Sequence, residues 1–169
     1  EAMRADAARS VRYAETAVPV LEEFLGTDFP TPAVRIWYGF VVGNSGGGGT
    51  INAEDRATYE ARTPETRLPH DAMIVHELGH SFVGNESLTQ FLELYGYNVL
   101  RAGSADPAAW SYTRGWTPGA ESNEGVHALL DVYRLIGPQA MASAYRALLP
   151  LRPPYGQPLS DAARQAFVD

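Results

Sequence analysis

The chain has 169 residues and a formal net charge of −7, long enough for one substantial core. Its thirteen cationic side chains are all Arg and lie scattered, so no basic stripe marks a nucleic-acid surface. With no Cys, disulfides and thiolate-held metals are excluded, and any metal must be held by His and carboxylates. No stretch approaches the ~20 consecutive apolar residues of a membrane span. The chain starts at Glu1, with no initiator Met and no signal-type segment, and is expected to be a mature or excised piece from a secreted or periplasmic setting.

In chain order, residues 2–25 carry Val11, Ala14, Val18, Leu21 and Leu25 at helical spacing. Pro19 predicts a kink or a break into two helices there, and Gly26 a C-terminal stop. Residues 33–42 are rich in β-branched and aromatic side chains and predict a strand. Four glycines, Gly46 to Gly49, follow and read either as a turn or as backbone that a ligand can approach closely. A short strand at 50–52 and a helical turn or loop at 53–61 come next. Asp71 is a candidate cap for a helix through Ala72, Ile74, Val75, Leu78 and Gly79. Gly84-Asn85 reads as a stop and a new cap, opening a second helix over 86–102 with Leu88, Phe91, Leu92, Tyr95 and Val99 on one face. Residues 103–119 read as an ordered loop, 124–136 and 138–149 as two more helices, and 161–167 as a short last one. The whole, 1–169, is expected to be a single α+β domain.

His76 and His80 stand four apart on the Asp71-capped helix, so both imidazoles leave one face about a turn apart and can share a tetrahedral metal ion. Glu77 follows the first His and points to where the open metal position would lie, placed to take a proton from water that the metal acidifies. This His-Glu-x-x-His spacing makes zinc the expected cofactor. A catalytic zinc needs a third ligand, and Glu86, Glu93, His127, Glu124 and His70 are the candidates. Glu86 is preferred: if its helix folds back on the first, it reaches the metal from the opposite side. Glu93, two turns further on the same face, is placed to hydrogen-bond a ligand His.

The stretch His76-Glu77-Leu78-Gly79-His80, followed by Asn85-Glu86-Ser87-Leu88-Thr89-Gln90-Phe91-Leu92-Glu93, resembles the gluzincin metallopeptidases, most of all their alanyl- and glycyl-aminopeptidase branches. Leu100-Arg101-Ala102-Gly103 and the segment Glu124–Tyr133 extend the likeness. The resemblance implies a thermolysin-like zincin catalytic domain, a small mixed sheet packed on a helical bundle that carries the active-site helix. It implies Glu86 as third zinc ligand and Glu93 as the carboxylate behind the ligands. Ser122 stands where those families place a transition-state Tyr, and Tyr112, in Tyr112-Thr113-Arg114-Gly115, is the replacement the resemblance suggests for oxyanion stabilisation. The Gly46–Thr50 region falls where these families pair an edge strand with substrate backbone, with Gly48, Gly49 and Thr50 as the candidate contacts. Four departures stand out: a much shorter His80–Glu86 connection, Ser87 in place of a Gly, Ser122 in place of the Tyr, and no Glu between residues 46 and 52 to catch a substrate amino terminus.

The function expected from this reading is hydrolysis of peptide bonds in peptide or protein substrates, by metal-activated water with Glu77 as general base. The alternative is a metal-binding or interaction module of the same fold that does not turn over.

Overall fold

α1 (Ala2–Leu25) is one helix through Pro19, and the expected break into two is not found. Pro19 lies on the exposed face, where water can serve the carbonyl its missing N–H leaves unpaired. Ala14, Ala17, Leu21 and Leu25 are buried on either side of it and keep both parts of the helix packed on the core. Gly26 ends the helix in the left-handed conformation, donating its N–H to the Glu22 carbonyl. The computed structural model describes residues 1–38, 45–61, 69–113, 121–152 and 158–168. Parts of the expected strand (39–42), of the loop (114–119) and of the Pro-rich tail (153–157) lie outside the described residues.

The remaining helices are α2 (Arg56–Glu60), α3 (His70–Phe82), α4 (Glu86–Ala102), α5 (Glu121–Leu148) and α6 (Asp161–Val168). α5 joins the two helices expected at 124–136 and 138–149, with one non-helical residue, Gly137 (φ 80°), at the joint. The strands are β1 (Arg35–Tyr38), β2 (Ser45–Gly47) and β3 (Thr50–Ala53), in the order β1-β3-β2. β1 runs parallel to β3 and β2 antiparallel to it, so the sheet is small and mixed. The chain is thus mostly helical with one small sheet, consistent with α+β in that coarse sense.

Gly48 and Gly49 form the two-residue turn of the β2–β3 hairpin, with φ of 55° and 77°. Positive φ at both central residues suits the right-handed twist of the strands they join. A Cβ on Gly49 would meet Thr31 Oγ1 and lie 2.8 Å from the Ala33 carbonyl oxygen, so that corner calls for glycine.

α3 is the centre of the molecule: of its thirteen residues, all but Asp71 are buried. It packs against α1, α4 and the hairpin, which explains an apolar composition all the way round. Its N-terminus differs from expectation. The helix begins at His70 after Pro69, and Asp71 lies inside the first turn without capping it. The Asp71 carboxylate instead accepts from Arg56 Nη2 at 2.6 Å and Arg9 Nη2 at 3.1 Å, tying α3 to α2 and α1. Negative charge in a first turn also suits the helix dipole.

α4 begins and ends as the sequence suggests. Asn85 Oδ1 accepts from Leu88 N at 3.2 Å, and Gly103 closes the helix in the left-handed conformation. Where α1, α3 and α4 meet, Gly96 permits the closest approach; a Cβ there would lie 2.9 Å from Val75 Cγ1 and 3.2 Å from Leu21 Cδ2. Beside this contact, Phe24, Phe91, Tyr95, Tyr133 and Tyr145 form an aromatic core joining α1, α4 and α5.

Candidate metal centre

α3 and α4 are joined by only three residues, Val83 to Asn85, so the chain turns back at once and lays the start of α4 beside the end of α3. That return brings Glu86 to the two histidines. His76 Nε2 and His80 Nε2 are 3.1 Å apart; Glu86 Oε1 is 3.4 Å from the first and Oε2 3.4 Å from the second. These three residues form a group able to hold a metal ion. Around a tetrahedral ion with bonds of ~2.0–2.1 Å, ligand atoms stand roughly 3.3–3.4 Å apart. The His76–His80 and His80–Glu86 Oε2 spacings of 3.1 and 3.4 Å lie near that figure, with Oε1 the oxygen nearer His76.

The histidine ring orientations are held from behind. His76 Nδ1 donates to Glu93 Oε2 at 2.9 Å, within a fully buried carboxylate. His80 Nδ1 lies 3.1 Å from Thr89 Oγ1, whose own proton is directed to the Val83 carbonyl at 3.3 Å. A hydroxyl has one proton, so with that proton on Val83 its oxygen accepts from His80 Nδ1–H. Both rings then carry their proton on Nδ1 and turn the Nε2 lone pair inward. Two imine lone pairs 3.1 Å apart, each facing a carboxylate oxygen at 3.4 Å, repel, and a cation relieves that repulsion.

When no cation is present and the histidines are protonated instead, the Glu86 carboxyl is pulled down to about 2: burial works against ionisation but is outweighed by the bond with His80, the charges of His76 and His80, and a bond from Gln90. The proton affinity of His76 is raised: burial opposes this, but the Glu93 bond and the charges of Glu93, Glu86 and Glu77 prevail. With both imidazoles neutral, three carboxylates share the site, a field that favours a divalent cation. Both histidines are buried, whereas the Glu86 side chain is 47% exposed, so the centre is reached from the Glu86 side.

The other candidate residues are placed as follows. Glu77 is buried on α3, close enough for its charge to act on His76. Tyr112 is buried with its hydroxyl directed to Glu93 Oε1 at 2.5 Å, and its main chain is clasped by the Asn98 side chain through bonds of 2.8 and 3.0 Å. That places Tyr112 to orient Glu93. His70 is not part of the metal group: its Nε2 lies 3.2 Å from the Glu54 carbonyl and its Nδ1 3.3 Å from Arg56 Nη2. His127, on α5, is also outside that group. The side chain of Glu124 lies outside the described residues, as does that of Ser122.

Gly48, Gly49 and Thr50 sit beside α3. Gly49 N–H donates to Ser81 Oγ at 3.1 Å, and its carbonyl accepts from Arg35 N at 2.8 Å. Thr50 lies in the middle strand, paired with Arg35 on one side and Gly47 on the other. Among the described residues the strand edge that stays open next to α3 is therefore that of β2, not these three residues.

Two residues of the centre went unread in the sequence, Thr89 and Gln90. Their signal was available as spacing: three and four residues after Glu86, they share its helix face. Among the described residues no helix is long and apolar enough to cross a membrane. No protein-family model matches this chain, and no curated protein matches it significantly, so its reading rests on residues and geometry.

Proposed function

We propose that this chain is a zinc-dependent peptidase of gluzincin type, with a thermolysin-like arrangement of its active-site helix. The observation that carries the reading is the convergence of His76, His80 and Glu86 with Glu77 one residue along the same helix. Two imidazoles and a carboxylate, with no thiolate, suit zinc, and three protein ligands leave a coordination position open. Zinc held there would supply Lewis acidity toward water and the scissile carbonyl.

The chain's own residues do the rest. Glu77 accepts the proton of the attacking water and passes it to the leaving amine, so no covalent intermediate with the protein is required. Its burial keeps that carboxylate short of solvent. Glu93 holds the His76 ring, and the Ser81–Gly49 bond fixes the hairpin to the residue after His80. An extended peptide adding to the β2 edge would lie along α3 through main-chain bonds alone.

A second reading, a module that binds metal without turnover, draws on the Tyr112 hydroxyl being directed to Glu93 and not toward the metal group. The first experiment is zinc content of the purified wild-type chain and Glu86→Ala by elemental analysis, followed by a peptide-library digest. About one zinc in wild type, a large loss in the variant and cleavage of library peptides support the peptidase. Zinc without cleavage supports the module, and no zinc after reconstitution rejects both.

A further inference from the structure

α4 provides a partner for every candidate ligand. Glu93 bonds His76, Thr89 bonds His80, and Gln90 Nε2 donates to Glu86 Oε1 at 3.0 Å. Residues 86, 89, 90 and 93 span roughly a 100° arc of one helix face at 100° per residue. Thr89, Gln90 and Glu93 are 0%, 2% and 0% exposed. Three polar side chains on one helix face are thus buried where apolar ones would pack at lower cost. Each is bonded to a different member of the metal group.

We propose that Thr89 and Gln90 are positioning residues of the metal centre: Thr89 sets the His80 ring so that Nε2 faces the ion, and Gln90 sets the Glu86 carboxylate so that Oε2 does. The inference rests on the zinc-site reading above. For Thr89 the argument is the direction of protons. Its hydroxyl proton goes to Val83, at the end of α3, so the oxygen can only accept from His80 Nδ1. That selects one tautomer and one ring angle, the device by which ligand histidines are commonly held.

For Gln90 the argument is the orientation of the amide. Its NH₂ faces the Glu86 carboxylate, while its carbonyl oxygen is buried with no hydrogen-bond partner among the described residues. Reversing the amide would set that oxygen against the carboxylate, so the orientation is determined by charge. Glu86 is the exposed ligand, the one whose side chain would otherwise sample several rotamers.

The sequence between the histidines serves the same end. A Cβ on Gly79 would lie 3.1 Å from Thr89 Cγ2 and 3.5 Å from Leu92 Cβ. Glycine at that position lets α4 approach closely enough for a side chain as short as Thr to reach His80.

The test is zinc affinity, measured by competition against a chromophoric chelator, for wild type, Thr89→Val, Thr89→Ser and Gln90→Leu, with unfolding of each metal-free chain followed in parallel. Thr89→Val keeps the volume against Gly79 and loses the hydroxyl; Thr89→Ser keeps the hydroxyl and loses the methyl. Thr89→Val and Gln90→Leu are expected to weaken zinc binding about 10–100-fold. Thr89→Ser is expected to stay close to wild type, even where its metal-free chain is less stable. Thr89→Val binding zinc as tightly as wild type, or Thr89→Ser weakened as much as Thr89→Val, overturns the role of the hydroxyl. Unchanged affinity in Gln90→Leu overturns that of the amide. Should Thr89→Val fail to fold, Thr89→Ala takes its place: it lacks the hydroxyl that Thr89→Ser keeps, and equal affinities in the two overturn the role of the hydroxyl. Absence of zinc from wild type removes this inference together with the function it rests on, whereas zinc-binding wild type with unchanged variants removes the inference alone.

Discussion

His76 Nδ1 and Glu93 Oε2 lie 2.9 Å apart, linking a residue on α3 to a fully buried carboxylate two turns into α4. A buried carboxylate behind a ligand imidazole fixes its tautomer and raises its basicity as a donor. Glu93→Gln keeps the shape and an acceptor oxygen but removes the charge. Zinc affinity is expected to fall about tenfold, at the lower end of the range for such partners. Chelator competition at constant pH measures it, and an unchanged dissociation constant would show that the charge of Glu93 is immaterial.

Tyr112→Phe separates two roles for one hydroxyl. Tyr112 donates to Glu93 Oε1, one bond removed from His76. If its role is to orient Glu93, the variant should bind zinc a few-fold more weakly and lose about 1–2 kcal/mol of stability through the missing buried bond. If Tyr112 instead stabilises an oxyanion during turnover, zinc affinity should hold while kcat falls by about 10²–10³. The geometry favours the first outcome. Parallel kinetics and metal titration tell the two apart.

The contrast between what could and could not be read in the sequence follows from the range of the interactions. The start of α4 was legible, because Asn85 caps it through a bond to its own helix. The His76–His80–Glu86 group was legible because helix period and a short connection leave few ways to arrange it. Asp71 was misplaced because its partners, Arg9 and Arg56, are 62 and 15 residues away. The break expected at Pro19 does not occur because burial on both sides of it maintains the helix, which no local propensity encodes. The parallel pairing of β1 with β3, around the intervening β2, is likewise a long-range fact. Thr89 and Gln90 lay on a legible face, but their partners depend on how α4 packs on α3.

Gly96→Ala probes that packing without touching the metal group. The added methyl would lie 2.9 Å from Val75 Cγ1, a branched side chain in a fully buried setting with little room to turn. Overpacking of this kind costs about 1–3 kcal/mol, partly offset by the better helix propensity of Ala. Urea unfolding should show a lower midpoint with an unchanged slope. A midpoint at or above that of wild type would mean that α1 and α3 separate easily at this contact.

The Asp71 ion pairs predict an acid-dependent stability. Burial raises the Asp71 carboxyl, but the bonds and charges of Arg56 and then Arg9 outweigh it and hold the group below its ordinary value of 3.8. A depressed folded-state value contributes stability that is present above the unfolded value and is lost as pH falls through the folded one. Asp71→Asn should therefore be less stable than wild type at pH 7, by about 1–3 kcal/mol for a charged, largely buried hydrogen-bonded pair. The gap should close below about pH 4, as the wild-type carboxyl takes up its proton. Thermal unfolding of both chains from pH 7 to pH 3 measures it; a gap independent of pH would assign the loss to packing.

Glu77→Gln tests the chemistry itself. Gln is nearly isosteric and can still hydrogen-bond, so the buried position on α3 tolerates it, but an amide cannot take a proton from water near neutral pH. Because Glu77 is not one of the metal group, zinc content should stay near that of wild type. Removing a general base costs about 10²–10⁴ in rate where proton transfer limits the reaction. The expected result is thus a variant with full zinc and cleavage of library peptides reduced by at least about a hundredfold. Retained hydrolysis with full zinc would remove Glu77 from the mechanism and require another proton acceptor at the open side of the centre. Loss of both zinc and hydrolysis would instead identify the Glu77 charge as part of what holds the ion, since its field already acts on His76.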